Sequence, residues 1–576
     1  MHVVKVISRR QNQEYVSYLL RQSYREGNQV KKRTIANLSA LPEHIIDAIR
    51  RGLAGDPLLP GGGSFAIEQS WPHGHVAAVL GTARAMGLER LLDARPSRQR
   101  TLVLAMIVAR VLHPASKLAT TRLWASTSLA RTLGVEDATE NDLYAAMDWL
   151  LARQERIEQR LAKQHLEPGG VVLYDLSSTY LEGERCPLAK RGHSRDGKPG
   201  HKQIEFGLVT NAEGEPVAIE VFAGNTADPA TFQAQVTKVK DRFDVADVVW
   251  VGDRGMITGA QVRQLQELTG TSWITALRAP TIQQLVDAGT IQLSLFDTQN
   301  LAEVNDPRFP GERLVVCHNP LLAAERKRKR EELLVATEKE LAKVAAMAER
   351  GAAGGRAGLQ GAAAIGERVG RVVNKYNMAK HFRRTVTDTS FGYERDPATI
   401  AREAALDGLY VLRTNVAKER LDSAAVVLAY KSLEQVEDAF HHFKLTDLEV
   451  RPVYHYLEDR VRAHLLLCML AYSVQRRMEH ALAPLLFKDE AIPDRDDPVA
   501  GAPRSAEAKR KEQTKLTAER FPVHSFRTLL AQLGTLVKNR VVPHGASAQA
   551  TFDMTTQPSP LQARAFDLLG LNLKAL

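Results

Sequence analysis

The spacing of apolar residues changes along this chain, and each spacing predicts a kind of element. Uninterrupted apolar runs, mostly β-branched and aromatic, stand at 171–174, opened by Gly169 and Gly170, and at 248–251, closed by Gly252. Short runs of that kind, bounded by glycine, predict buried central strands. The segments 204–210 and 217–222, joined by NAEGEP, predict an antiparallel pair; Pro229 then starts a helix leading into Val248, and 272–277 predicts a further strand. Elsewhere the helical period takes over. Leu433, Val436, Phe440 and Phe443 fall on one stripe of an amphipathic helix, with Glu437 on its border. Ser432 with Gln435 predicts a capping box that starts this helix at Leu433 and leaves Tyr430 in the lead-in. Thr139 with Asp142 predicts a similar start for a second helix. Leu102, Met106, Ala109 and Leu112 line a third, and 459–478 predicts a helix whose Leu465, Met469 and Tyr472 brace the Glu437 helix.

The order of these elements divides the chain. Residues 1–64 predict a small α+β lead: strand arms at 15–20 and 29–35 flank the turn REGN, Pro42 opens a helix ending near Leu53, and Gly61–Ser64 is a flexible joint. Residues 71–168 predict an all-helical domain. A strand-rich unit is split into 169–278 and 406–482 by an insertion at 279–405, which holds a charged helix over 325–350, the basic run RKRKR and a Gly- and Ala-rich connection over 351–366. Residues 491–576 read as linker and tail. The fold class predicted is therefore α/β, a mixed-sheet core interrupted by an insertion and preceded by an α+β lead and a helical domain.

Composition narrows the picture. Lys and Arg number 77 against 67 Asp and Glu in 576 residues, the moderately basic balance of a protein that tracks phosphates. Cys186, Cys317 and Cys468 are odd in number and far apart, which supports neither a disulfide framework nor a CxxC zinc site and points to a reducing cytoplasm. The longest apolar runs, 102–112 and 465–474, are too short to span a bilayer, so no membrane partner is expected.

The chemistry gathers at carboxylates. Asp175 and Asp253 end the two strand-like runs, where open α/β sheets place their ligands, and Glu437 borders a helix core. Each taken singly reads more readily as a turn residue, a helix cap or a half-exposed helix glutamate. Together they offer three hard oxygen ligands with no histidine or cysteine of suitable spacing, a set that suits magnesium or manganese rather than zinc. After Asp175 the loop CPLAKRGHSRDGKPGHKQ carries Arg195, Lys198 and Lys202, a basic segment able to hold a phosphate backbone or simply to be solvated.

These residues stand in contexts that resemble the bacterial insertion-sequence transposases of the DDE class. In one branch of that class the glutamate lies in Y-x2-R-x3-E-x6-K; here Tyr430, Leu433, Glu437 and Lys444 occupy those spacings, with leucine in place of arginine and Lys431 the nearest cation to replace it. YDLSSTYLEG, FAGNTADPATF, VGDRGM and LEVRPVYHYLEDRVRAHLLLCMLAY are similar too. The resemblance implies an RNase H-like catalytic core. It implies Asp175, Asp253 and Glu437 as a triad for two Mg²⁺ ions, with Mn²⁺ able to substitute, and Tyr430, Lys444 and Arg254 as phosphate contacts. Its partners would be terminal inverted repeats and target DNA, with the protein a homodimer in the DNA complex and nucleoid-associated in the bacterial cytoplasm. The helical domain would bind DNA ends or dimerise. Two other classes share these residues: an inactive DNA-binding regulator derived from a transposase, and a metal-dependent endonuclease without strand transfer.

Overall fold

The computed structural model describes residues 1–10, 13–27, 29–55, 65–198, 200–296, 299–355, 358–446, 448–493, 497–543 and 551–572. Gly61–Ser64, expected as a joint, lie outside the described residues, as does Asn28 of the REGN turn. The chain forms two units, Met1–Pro72 with Leu536–Gln557, and His73–Thr535 with Pro558–Leu576.

In the first unit β1 (His2–Arg10), β2 (Gln13–Glu26) and β3 (Gln29–Asn37) form an antiparallel meander. Pro42 opens the helix Glu43–Ala54, which ends on the left-handed Gly55. β4 (Phe65–Pro72) belongs to another sheet of this unit, paired with residues from the far end of the chain.

The second unit is organised by an eight-stranded mixed sheet. Its strands are β5 (Val171–Tyr180), β6 (Gln203–Asn211), β7 (Pro216–Ala223), β8 (Val248–Val251), β9 (Thr271–Ala276), β10 (Leu301–Val304), β11 (Arg313–His318) and β14 (Leu409–Thr414). They lie in the order β10-β11-β14-β9-β8-β5-β6-β7. β5, β8 and β9 are parallel, and β6 and β7 are antiparallel to their neighbours, so β7-β6-β5-β8-β9 is the RNase H-like arrangement. The segment expected as an insertion does more than interrupt the core. β10 and β11 join the sheet beyond β14, extending it antiparallel from β9. The rest of the segment packs Leu334, Leu341 and Val344 of the helix Pro320–Ala352 on Ile365, Val369 and Val373 of Ala362–Lys375, with the hairpin β12 (Phe382–Val386) and β13 (Phe391–Arg395) against them. Of its Gly- and Ala-rich connection, 356 and 357 lie outside the described residues and 362–366 are helix.

Helices cover both sheet faces. Phe232, from the helix Asp228–Thr237, meets Tyr174 at 6.2 Å and Trp250 at 5.4 Å on one face. On the other, Phe440 and Phe443 meet Phe206 edge-on at 5.4 and 6.1 Å. Side chains alternate along a strand, so Asp175, one residue on from Tyr174, faces the Phe440 side. The helix Glu458–Ala481 is buried continuously from Ala463 to Gln475, because it is shared by the sheet and by the helical segment that precedes it. That segment's helix Arg98–Leu112 is likewise buried on every side from Leu102 onward. The Thr139 and Asp142 capping box forms as the spacing predicts. No single helix among the described residues is long and apolar enough to cross a membrane.

Residues 537–576 are not merely a tail. β15 (Val537–Pro543) pairs with β4 and with β16 (Phe552–Thr555), completing the second sheet of the first unit.

Gly207 shows how tightly β6 is held. A Cβ there would stand 2.2 Å from the hydroxyl of the fully buried Tyr174. Gly207→Ala should therefore destabilise the protein by roughly 1–3 kcal/mol through overpacking, read as a clear fall in melting temperature; an unchanged melting curve would contradict this packing.

Candidate active site

The parallel register of β5 and β8 pairs Val171 with Val249 and Leu173 with Val251, a constant offset of 78 residues (249 − 171). The same offset separates Asp175 from Asp253 (253 − 175 = 78), so each aspartate stands two residues beyond the last pair of the ladder, Leu173 with Val251, and the two interact electrostatically. All four residues of β8 are buried, and the chain turns immediately after Gly252. Asp253 also serves that turn: its Oδ1 accepts from the amides of Gly255 at 2.9 Å and Met256 at 2.8 Å, while Thr275 Oγ1 donates to its carbonyl at 3.1 Å. The plain reading as a turn residue thus holds for one of its oxygens.

Asp175 sits deeper, inside β5. Burial pushes its carboxyl up to about 7, the Leu176 amide and Arg195 oppose the rise, and the negative charges of Asp253 and Glu437 add to it. Glu437 is exposed on the helix Leu433–His441, and partial desolvation together with Glu434, Asp438 and Asp253 raises its carboxyl as well. Tyr430 faces the same charges. Its phenol is pushed up to about 12 by burial and by Asp253, Glu437 and Asp175, against the pull of Arg254, so it remains a hydrogen-bond donor at neutral pH. Asp175, Asp253, Glu437, Tyr430 and Arg254 are thus brought within electrostatic reach of one another. Among the described residues, however, no three His, Cys, Asp or Glu side chains stand in metal-holding geometry. The donor chemistry of the two aspartates, hard oxygens close enough to act on each other, fits a divalent ion; Glu437 does not stand with them as a ligand in this conformation.

Other expected contacts are engaged elsewhere. Arg195 Nη2 donates to both carboxylate oxygens of Asp228 at 2.9 Å, and its amide donates to Ser178 Oγ at 3.0 Å, so it is a strut rather than a free phosphate contact. Lys444 Nζ lies 3.2 Å from Asp196 Oδ1, which also accepts from Arg451 at 2.8 Å. Lys444 is nearly buried in this arrangement, which pins the π-helical turn His442–Thr446 to the basic loop. Lys198 is exposed over the Tyr180 ring at 4.4 Å, and Lys202 Nζ donates to the Glu184 carbonyl at 3.3 Å. The loop is also held by close approach: a Cβ on Gly192 would stand 1.9 Å from the Gly224 carbonyl oxygen. Pro199 of this loop lies outside the described residues.

The capping box expected at Ser432 does not form. Ser432 is αR, its side chain makes no cap, and its hydroxyl donates to Leu428 O at 3.1 Å, because a helix, Ser423–Lys431, already runs up to it. Tyr430 is therefore in that helix and not in a lead-in. Leu433, at the signature's arginine position, is buried, and Lys431 donates to the carbonyls of Val499 at 2.8 Å and Ala500 at 2.7 Å. Sequence reasoning missed Arg278, which lines a cleft of about 260 Å³ with Arg254 and Arg413 beside the Asp253 turn. Its signal was an arginine two residues past a buried strand, as Arg254 stands three past β8.

Comparison with known families gives two matches. A model described as IS1634 family transposase, N-terminal domain, matches residues 3–56. One described as transposase DDE domain matches residues 168–474, more than half of the chain. No curated protein matches the chain.

Glu205 supplies a test of the charge around Arg195. Its side chain lies 3.6 Å from Arg195 Nη1 and is buried, and burial pushes its carboxyl up to about 7 against the pull of Arg195, with Asp228 adding to the rise. A carboxyl that holds its proton more tightly when folded contributes most to stability at low pH, and that contribution is lost as pH rises from its ordinary value of 4.5 through about 7. Glu205→Gln should melt above the wild type beyond about pH 7 and converge with it below about pH 4. A difference of the opposite sign in melting curves across this range would contradict the assignment.

Proposed function

The chain belongs to the transposase DDE domain family, and from that premise we propose that it binds the terminal inverted repeats of an insertion sequence, cuts the DNA there and joins the freed 3′ ends to target DNA. DDE transposase domains use divalent metal ions; here Asp175, Asp253 and Glu437 would hold a pair of Mg²⁺, with Mn²⁺ able to substitute. What supports this reading is that Asp175 and Asp253 follow the paired ends of β5 and β8 by the same two residues and act electrostatically on each other and on Tyr430.

When bound, the ions activate the attacking oxygen and stabilise the leaving one. The residues do the rest. Asp175, whose carboxyl holds a proton near neutral pH in the free protein, gives it up as a cation takes its place. Tyr430 donates its phenolic hydrogen to a phosphate oxygen, and the exposed Arg254 and Arg278 bind the backbone alongside. In the first step water attacks the phosphorus at the element's end and the 3′ oxygen leaves. In the second, that 3′ hydroxyl attacks a target phosphate and displaces a target 3′ oxygen. Lys444 acts through Asp196, holding the turn after the Glu437 helix against the basic loop. Lys198, an exposed cation of that loop, contacts DNA directly. Joining two ends calls for two active sites, hence a homodimer in the DNA complex.

The buried Leu433 favours a second reading, a DNA-binding protein that no longer cuts, because the arginine position of the signature faces the core here.

One paired assay separates the readings. Glu437→Gln keeps helix propensity, volume and hydrogen bonding while removing charge. End binding in a gel shift and the melting curve should be unchanged, while cleavage with Mg²⁺ or Mn²⁺ falls by several orders of magnitude, each factor of ten being ~1.4 kcal/mol of barrier. Full cleavage by the variant refutes the triad; no cleavage by the wild type on its own terminal repeats favours the inactive reading.

A further inference from the structure

Away from the carboxylates, a cavity of about 300 Å³ lies between the helical segment and the chain that follows the Glu437 helix. Its walls bring Arg110 and Lys117 from one side to Arg451, His455 and His464 from the other. Lys117 is only 4 % exposed, and among the described residues its ammonium has neither a hydrogen-bond nor an ion-pair partner. The adjacent Arg110 is buried too, and it donates to the carbonyls of Leu448 at 3.3 Å and Ala115 at 3.1 Å, neither of them an anion. The carboxylate among the lining residues, Glu449, is exposed.

A buried ammonium without a counter-charge is costly, and proteins retain one where a ligand supplies the charge. The two histidines do not compensate, since burial and the neighbouring cations hold both in the neutral form. Burial, followed by the repulsion of Arg110, pulls the Lys117 ammonium down to about 7, the response of a cation that lacks its anion. The cavity volume is at the small end of the ~300–1,000 Å³ typical of ligand pockets, and Tyr144 and His455 give it an aromatic wall, their rings 6.1 Å apart.

We propose that this cavity is a phosphate site, in which Lys117 and Arg110 take the oxyanion of a phosphate group carried by DNA or by a small phosphorylated compound. The site is distinct from the carboxylate cluster and does not rest on the strand-cutting reading. Occupancy would tie the helix Lys117–Leu123 to the 449–455 segment, and Arg451 connects that segment through Asp196 to Lys444.

The test uses the full chain and inorganic phosphate. Melting curves are compared in phosphate and in chloride at equal ionic strength, at about pH 6 where the ammonium is charged. The wild type should gain at least about 2 °C in phosphate. Lys117→Met should lose that gain while melting in chloride at or above the wild type, because an uncompensated buried charge has been removed. Lys117→Arg should keep the gain. A salt series of gel shifts with a short duplex then identifies the source. A salt slope reduced by about one phosphate in Lys117→Met assigns DNA; an unchanged slope with the phosphate gain intact in the wild type assigns a free phosphorylated compound. No phosphate-specific gain in the wild type, an equal gain in Lys117→Met, or a Lys117→Met protein melting well below the wild type in chloride overturns the proposal.

Discussion

Everything at the candidate active site depends on the register in which β5 meets β8. β8 has four residues, all buried, and lies between β5 and β9 with side chains packed on both faces. A slip of one residue would turn Trp250 away from Phe232 and send its neighbours to the wrong face, so the packing of the strand determines the pairing. The same pairing sets Asp175 and Asp253 each two residues past its last pair. The placement of these aspartates is thus a by-product of core packing: Phe232 on one face and the Phe440 and Phe443 pair on the other hold the sheet between them.

Around this frame the charges are unevenly satisfied. Arg195 is committed to Asp228, and Lys444 and Arg451 share Asp196. Burial is what chiefly raises Asp175 and Glu437, and the negative charges around them, Asp253 among them, add to the rise because Arg195 and Lys444 are bound to other partners. A divalent cation relieves that repulsion, whereas a further basic side chain would cancel it permanently. The surrounding ion pairs serve to hold the loop and the turn after the Glu437 helix rather than to neutralise the site.

What could be read from the sequence was what local pattern controls. The glycine-bounded strands, the antiparallel pair after Asp175, the apolar stripe of the Glu437 helix and the Thr139 cap all depend on neighbours within a few residues. The misses have a common cause in distance along the chain. β15 pairs with β4 from nearly the opposite end of the sequence, and β10 and β11 join the sheet from inside what looked like a separate insertion. Ser432 has the residue type and spacing of a cap, yet the helix before it continues in αR geometry and removes the need for one. The same holds for the site: Lys444 has the right spacing for a phosphate contact, and only the fold brings Asp196 to it. Lys117 carried no sequence signal, since a lysine beginning a short helix usually meets solvent.

The proposed site for the divalent ions is formed by Asp175 and Asp253, with Glu437 as the third ligand in the DNA complex. Iron-mediated backbone cleavage tests it directly, because Fe²⁺ bound in place of Mg²⁺ generates hydroxyl radicals that cut only the chain beside it. With ascorbate and peroxide, the wild-type protein on its DNA ends should be cut beside Asp175, beside Asp253 and within the helix bearing Glu437, and excess Mg²⁺ should suppress all of these cuts together. Cuts confined to other segments, or cuts at these positions that Mg²⁺ does not suppress, would contradict the account.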